Sequence, residues 1–342
     1  MQKQAIRLSL PSKGRLESDA LDFLAAAGLR VARPNPRQYQ AEIPALPGLG
    51  VLFQRPGDIV VSVRQGSVDF GITGLDVIEE RRGENGDLMV LHEALGFGHC
   101  ALTVAVPEAW TSVVDIPTLR RFAISLGHPL RVATKYPTLT EAFLRREGID
   151  HILIAAEGTL ETAPTIGYAD VISDLVSSGQ TLVDNRLRPL QDGVILPSQA
   201  ALIANRAALQ HRPEVLEMAR RLLEYIEAHL RAEDNLLVIA NMRGESPQAI
   251  ARKMFNETIV GGLQGPTISP VIVRDGAQSW YSVTVVVRRD RLPQAVSELR
   301  AIGGSGIIVS PVTYIFEAEP PRYTAMVAAL SESDSVAVKR ER

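Results

Sequence analysis

The stretch Glu157–Leu182, EGTLETAPTIGYADVISDLVSSGQTL, decides how the chain is read. Within it, Ala169–Asp174 has the pattern of a short buried strand, with Val171 and Ile172 apolar and Asp170 and Asp174 at its ends. Ser177-Ser178-Gly179-Gln180-Thr181 follows directly. Gly179 lets the backbone take positive φ or approach a ligand, and the hydroxyls and amide N–H groups around it can converge on an anion. An acid just before such a cradle would repel a phosphate. Asp174, and with it Asp170, is therefore read as accepting hydrogen bonds from sugar hydroxyls or holding a divalent cation. The implied ligand is a phosphorylated sugar, although the same residue types also build ordinary turns.

DLVSSGQTL resembles the phosphoribosyl-diphosphate loop of the ATP phosphoribosyltransferase family, D-x-V-x-T-G-x-T-L. Glu161-Thr162-Ala163-Pro164 and Gly167-Tyr168-Ala169-Asp170 match that family's E-x-A-P and G-x-A-D. Ser178 stands where the family usually has Thr, a change that keeps the hydroxyl.

The 342 residues exceed the usual size of one core, so two or three domains are expected. A content of 46% hydrophobic and 22% charged residues is that of an ordinary globular protein. The formal net charge of -3 provides no general basic surface for nucleic acid, so any anion site must be local. A single cysteine, Cys100, excludes an intramolecular disulfide framework and a cysteine-rich zinc site, and suits a reducing compartment. No basic-then-apolar leader opens the sequence, and no apolar run approaches the roughly 18 residues that cross a bilayer. The expectation is a cytoplasmic protein with no membrane partner.

Moving outward to the N-terminus, Ala5–Leu10 alternates Ile6, Leu8 and Leu10 and runs through Pro11-Ser12-Lys13-Gly14-Arg15-Leu16 into a helical stretch ending at Gly28. Ligands of such strand-loop-helix units sit at the carboxyl ends of the strands, where Lys13 and Arg15 can meet phosphates and Ser12 can donate. LPSKGRL resembles the family's L-P-x-K-G-R-L, whose basic residues line its active cleft. Further on, Ile59, Val60 and Val63 share a helical face, with Asp58 expected as N-cap and Gly66 as the stop. Val68–Thr73 is the next strand and ends in Gly74-Leu75-Asp76. The segment VRQGSVDFGITGLDVIEE resembles the family's V-x-x-G-x-x-D-x-G-I-x-G-x-D block, which implies that Arg55 and Asp76 face the cleft; Asp69 and Gly71 equally suit turn geometry.

Asp87–His92 and Ala101–Val106 read as strands. His99 and Cys100 invite a metal reading, yet neighbours in a strand point to opposite faces and no second cysteine exists. Leu130–Thr134 with Lys135-Tyr136-Pro137 and a helix to Glu147 forms another strand-loop-helix unit that places Lys135 for a pyrophosphate, and RVATKYP resembles a block of the same family. Ile152–Ala155 adds a strand, and Leu190–Leu196 and Gln199–Ala204 return the chain to a helix whose apolar stripe includes Val215, Ala219, Leu222, Ile226 and Leu230.

Beyond a polar linker expected at Ala232–Asn235, strands at Leu236–Asn241, Thr267–Val273, Trp280–Val287 and Gly306–Val309 alternate with helices at Pro247–Phe255 and Leu292–Ile302, with a turn at Asp275-Gly276. That is a split βαβ pattern. GPTISPV and RAIGGSGIIVSPV resemble the histidine-sensing domain of the family's long form, with Gly303-Gly304 in place of the usual Gly-Ala. The fold class expected is α/β: a two-lobed, periplasmic-binding-protein-like catalytic region over 1–232, then an α+β ferredoxin-like (ACT-like) regulatory domain over 235–325. Lobe 1 is assigned 1–105 and 186–232, lobe 2 106–185, and 331–342 a flexible polar tail.

The resemblance implies the first step of histidine biosynthesis, in which N1 of ATP is joined to C1 of phosphoribosyl diphosphate and pyrophosphate departs. It assigns Ser177, Ser178, Gly179 and Thr181 to the ribose 5-phosphate, and Asp174, Asp170 and Glu161 to phosphoribosyl diphosphate, the two aspartates also being candidates for Mg²⁺. Lys13, Arg15, Arg55 and Asp76 are assigned to ATP, and Lys13, Arg15, Lys135 and Asp174 to catalysis. Free histidine is the implied inhibitor and a homo-hexamer in equilibrium with dimers the implied assembly. Two alternatives stand beside this reading: a catalytically silent regulatory homologue and a cytosolic small-molecule sensor.

Overall fold

A computed structural model describes residues 5–35, 38–155, 159–259, 261–273 and 279–340, with side chains to 332. The chain divides into two compact units, Met1–Arg220 with Arg322–Arg342, and Arg221–Pro321.

The first unit holds two sheets. Sheet one is built from β1 (Ile6–Pro11), β2 (Gln40–Glu42), β3 (Leu49–Gln54), β4 (Phe70–Gly74), β5 (Leu88–His92) and β11 (Ala200–Asn205), in the order β2-β3-β1-β4-β11-β5. β1 runs parallel to both β3 and β4, and β11 is antiparallel to β4 and β5. Helices α1 (Arg15–Ala26), α2 (Pro56–Arg64) and α3 (Leu75–Arg81) follow β1, β3 and β4 directly, so three strand-to-helix loops share one end of the sheet. α2 lays Ile59, Val60 and Val63 against Val68, Ile78, Leu88, Ala201 and Ile203, all buried; each such aliphatic side chain contributes about 1.5–3 kcal/mol. Arg55 rather than Asp58 is the N-cap of α2, because Pro56 occupies the first helical position and moves Asp58 into the first turn.

Sheet two comprises β6 (Cys100–Pro107), β7 (Leu130–Thr134), β8 (His151–Ala155), β9 (Val171–Val176) and β10 (Leu187–Ser198), in the order β10-β6-β9-β7-β8. β7, β8 and β9 are parallel, whereas β6 is antiparallel to β9 and to β10. Helices α4 (Ile116–Ser125), α5 (Pro137–Arg146) and α6 (Gln180–Asp184) belong to this lobe. Its core joins Val104, Val106, Leu119, Val132, Phe143, Leu144 and Val171. Strand pairing moves the lobe boundaries: β6 and β10 are both full members of sheet two, so the chain changes sheets before Cys100 and after Ser198, not at 105 and 186. α7 (Arg206–His211) and the start of α8 (Pro213–Glu233) complete this unit, and the rest of α8 belongs to the second.

The second unit contains β12 (Asn235–Arg243), α9 (Pro247–Glu257), β13 (Thr267–Val271), β14 (Trp280–Arg288), α10 (Leu292–Ala301) and β15 (Ser305–Pro311). Its antiparallel sheet is ordered β13-β14-β12-β15, the split βαβ arrangement. Val238, Ala240, Met254, Val283, Val285 and Leu299 form its own core. The expected linker at Ala232–Asn235 is instead the last turn of α8 and the first residue of β12, tied by Asn235 Nδ2 donating to the Arg231 carbonyl at 2.6 Å. The turn expected at Asp275-Gly276 lies outside the described residues. Past Pro320 the chain forms α11 (Pro321–Arg340), so 331–340 of the expected flexible tail are helical, with Met326 and Leu330 buried earlier in the helix, and 341–342 lie outside the described residues.

Candidate active site

Parallel pairing sets where the first group of loops lies. Pro11 of β1 is level with Gln54 of β3, and the Ser12 amide donates to the Gln54 carbonyl at 2.9 Å, which places Ser12-Lys13 beside Arg55 at the carboxyl ends of adjacent strands. Lys13, Arg15 and Arg55 are all exposed. Among the described residues Arg15 pairs with Asp19 one turn along its own helix, at 3.4 Å, a contact of little energy at an exposed position.

Asp76, next along this rim, has a different environment. It is 3% exposed; its Oδ1 accepts from Ser198 Oγ at 2.6 Å and its Oδ2 from Tyr136 Oη at 2.7 Å, while its own amide donates to Ser198 Oγ at 3.0 Å. The carboxylate folds back over Gly74, where a Cβ would collide with Oδ1. Asp76, expected at the ATP, is held by three internal contacts that join the two sheets. Burial, then the charge of Asp76 and its hydrogen bond, push the Tyr136 phenol far above its ordinary range, with the Asp174 charge adding to the shift, so the phenol stays a neutral donor. Glu80, one helical turn beyond Asp76 in α3, accepts from the Thr138 and Leu139 amides at 2.9 and 3.0 Å and satisfies the first turn of α5.

Sheet two supplies the second group. Lys135 follows the last residue of β7 and is exposed. Thr134 stands level with Ser173 of β9, and a chain of hydroxyls runs beneath the loop: Thr134 Oγ1 to Thr140 Oγ1 at 3.2 Å, and Thr140 Oγ1 to Ser173 Oγ at 2.9 Å. Tyr136 N donates into it, to Thr134 Oγ1, at 2.9 Å. Asp174 lies toward the carboxyl end of β9, its Oδ1 accepting from the Leu175 amide at 2.8 Å. Burial pushes its carboxyl above the usual carboxylate range, the Glu161 charge pushes the same way, and the Leu175 amide and the Lys135 charge oppose them. Asp174, Glu161 and Lys135 thus act on one another. After β9, Ser177 and Ser178 are exposed, and Gly179 caps the five-residue α6 with φ 77° and ψ -5°, a left-handed conformation that disfavours any residue with a Cβ. Thr181 is exposed in the first turn of α6.

Asp170 is not brought to this group. It precedes β9, about 13 Å along the strand from Asp174. Arg131 takes both its oxygens, Nη2 donating to Oδ1 at 2.7 Å and the amide and Nε to Oδ2 at 2.8 and 3.2 Å. Expected as a ribose or magnesium ligand beside Asp174, Asp170 therefore forms an internal ion pair at the opposite end of the sheet. Cys100 is half-buried, and burial followed by the Asp76 charge pushes its thiol up, away from nucleophile behaviour. Among the described residues no group of three or more His, Cys, Asp or Glu could hold a metal ion.

Sequence reasoning gave no role to Tyr136, Ser198 or Glu80. Tyr136 lay inside a quoted motif, but its partner Asp76 is 60 residues away and Ser198 is 122 residues from Asp76, separations that carry no local signal.

The arrangement provides exposed cations on several loops, a half-buried acid whose charge a neighbouring lysine favours, and a glycine turn rich in hydroxyls. The family model described as ATP phosphoribosyltransferase matches residues 55–227, and the model described as HisG, C-terminal domain, matches 232–314. ATP phosphoribosyltransferase 1, chloroplastic, of Arabidopsis thaliana is 44% identical over 338 residues, covering 96% of this chain and 82% of the relative. The ATP phosphoribosyltransferase of Rhodopseudomonas palustris (strain HaA2) is 33% identical over 333 residues, covering 95% and 98%. Among solved structures, the ATP phosphoribosyl transferase (HisG:HisZ) complex from Thermotoga maritima aligns with a TM-score of 0.51 at 25% identity, over 65% of this chain and 98% of that one. The chain belongs to the ATP phosphoribosyltransferase family, in its long form with a C-terminal regulatory-type domain.

Proposed function

We propose that Lys13, Arg15, Arg55, Lys135, Glu161, Asp174 and the Ser177–Thr181 loop form the site at which N1 of ATP is joined to C1 of phosphoribosyl diphosphate. The observation that carries this reading is the placement of Asp174: a half-buried carboxylate within electrostatic reach of Lys135 and Glu161, three residues before a hydroxyl loop turned by left-handed Gly179.

The N1 lone pair forms the new bond to C1 as the C1–O bond to pyrophosphate breaks, and the bonding electrons leave with the pyrophosphate. Positive charge grows on the ribose and negative charge on the departing group, so positioning and fixed charge lower the barrier. Asp174 accepts hydrogen bonds from ribose hydroxyls and faces the growing positive charge. Lys135 meets the pyrophosphate; Lys13, Arg15 and Arg55 meet the ATP phosphates; Ser177, Ser178, Thr181 and the backbone at Gly179 receive the 5-phosphate. N1 is itself the nucleophile, so no protein base is assigned. Asp76 and Asp170 are left out of the ligand set because their oxygens have internal partners.

The donor set suits Mg²⁺ held mainly through substrate phosphates: Asp174 is a hard oxygen donor whose burial a cation would offset, with Glu161 the next acid. A Mg²⁺ held there would neutralise charge on the pyrophosphate.

The second unit, with its own βαββαβ core, is proposed to receive histidine as inhibitor, and the assembly to be a homo-hexamer in equilibrium with dimers. A cytoplasmic setting is proposed from the lone cysteine. Among the described residues no helix is long and apolar enough to cross a membrane.

The deciding experiment is phosphoribosyl-ATP formation from ATP and phosphoribosyl diphosphate with Mg²⁺, with and without histidine, for the wild type and Asp174→Ala. Turnover lost in the variant and inhibited by histidine supports both parts. Turnover untouched by histidine removes the regulatory part, and a folded wild type that binds substrate without turnover removes the catalytic part.

A further inference from the structure

Thr103 of β6 stands directly opposite Asp174 of β9 in the antiparallel register. Residues paired in this way carry their side chains on the same face, with Cβ atoms about 4.5–5.5 Å apart. Strand alternation extends that face to Ala105 and Ile172, which pack with Ala133, Leu160, Ala163 and Leu182. Leu160 adjoins Glu161, and Leu182 belongs to the short helix that follows the Ser177–Gly179 loop. Thr103 is thus on the Asp174 side of the sheet, under the two segments that frame the proposed ribose position.

Only 3% of Thr103 is exposed, and its Oγ1 has no hydrogen-bond partner among the described residues. A buried hydroxyl left unpaired costs free energy. Valine has nearly the same shape, favours strands at least as well and carries no such cost. A hydroxyl at this position therefore calls for a partner that the folded chain does not supply, and its neighbour across the strand is the acid assigned to ribose. Among the described residues the other buried threonine with an unpaired hydroxyl is Thr73, which lies opposite Ala201 and not opposite an acid.

We propose that Thr103 is a further substrate-binding residue, its hydroxyl joining the Asp174 carboxylate in holding the ribose hydroxyls of phosphoribosyl diphosphate. The inference rests on the reading of Asp174 as the ribose acceptor. The chemistry is complementary: a carboxylate accepts only, whereas a hydroxyl both donates and accepts. A diol bound by the pair donates to Asp174 and exchanges a hydrogen bond with Thr103.

The test compares Thr103→Val, Thr103→Ser and Asp174→Asn in steady-state phosphoribosyl-ATP formation, with the melting temperature of each. Thr103→Val is expected to raise the KM for phosphoribosyl diphosphate about three- to tenfold, the value of one neutral hydrogen bond. The KM for ATP should not change, the melting temperature should not fall, and Thr103→Ser should restore the KM. An unchanged KM in Thr103→Val beside a clear loss in Asp174→Asn overturns the role of Thr103 alone. Equal losses in the valine and serine variants also overturn it, since packing then explains the effect. An unchanged KM in Asp174→Asn places the ribose elsewhere and overturns both readings. Thr103→Ala takes the place of the valine variant, with the same expectations for KM, should the latter not fold.

Discussion

Tyr136 Oη donates a 2.7 Å hydrogen bond to Asp76 Oδ2, and the contact ties the loop carrying Lys135 to the helix that follows β4 of the other sheet. Asp76 also receives Ser198, so a single buried carboxylate gathers residues from three elements. Tyr136→Phe leaves one carboxylate oxygen without its donor and should cost about 1–3 kcal/mol of unfolding free energy. Ser198→Ala should cost a similar amount. Because both act through Asp76, their effects in the double variant should depart from additivity by roughly 0.5 kcal/mol or more; denaturant unfolding of the four proteins measures it. Simple additivity would mean that the two contacts are energetically independent.

The Asp170–Arg131 pair yields a contrasting expectation. Burial raises the Asp170 carboxyl, but the hydrogen bonds from the Arg131 side chain and amide, with its charge and that of His128, outweigh it and hold the group below 3.8. A carboxyl depressed in the folded state contributes stability that is present above its unfolded pKa and lost as pH falls through the folded value. Asp170→Asn should lower the melting temperature at neutral pH by several degrees. The KM for phosphoribosyl diphosphate and the Mg²⁺ dependence of turnover should stay at wild-type values. A changed Mg²⁺ requirement would return Asp170 to the ligand set.

Asp174 has the opposite sign. Burial and the Glu161 charge raise its carboxyl above 3.8, so the folded state holds this proton more tightly than the unfolded chain. The stability contributed by the protonated group is full below the unfolded pKa and gone once pH rises through the folded value. At neutral pH the half-buried charge is a cost, and Asp174→Asn should raise the melting temperature while weakening phosphoribosyl-diphosphate binding. In the wild type, kcat/KM for that substrate should fall as acid protonates Asp174, at a pH above 3.8. Glu161→Gln removes a raising charge and should move the inflection down; Lys135→Gln removes a lowering one and should move it up. Steady-state pH profiles read all three, and identical inflections would show that Asp174 does not control the profile.

Most strands were legible because runs such as Ile6–Pro11, Leu130–Thr134 and Val171–Val176 are short, apolar and end in Gly, Lys or Ser loops. β3, Leu49–Gln54, escaped notice although Leu49, Val51 and Phe53 alternate, because Gly50 interrupts the run and Gly48 precedes it. Asp170 and Asp174 are separated by four residues of extended chain, about 13 Å, so spacing alone puts one at each end of the sheet. Asp76 is a different matter. Its buried position depends on Ser198 and Tyr136, brought to it only when the two sheets assemble, and no local pattern foretells that. The helix α11 was hidden by the polar sequence of its second half, while among its described side chains Met326 and Leu330 mark a buried face.

His92 ends β5 and is 5% exposed, with its Nδ1 accepting from the Ala94 amide at 3.2 Å. Burial, reinforced by the nearby Arg322 charge, lowers its pKa from 6.5 to about 4. Between those values the unfolded chain binds the proton and the folded chain does not, so stability should decline as pH drops from 6.5 toward 4, by on the order of 3 kcal/mol in all. His92→Asn keeps an acceptor for the Ala94 amide and removes the titration, and should flatten the decline measured by urea unfolding at several pH values. Arg322, from the first turn of α11, forms a two-pronged pair with Glu93, one arm at 3.0 Å. Its charge is the second cause of the His92 shift and burial the first, so Arg322→Met should narrow the pH window without closing it. A window closed completely by Arg322→Met would make the arginine, and not desolvation, the origin of the neutral histidine.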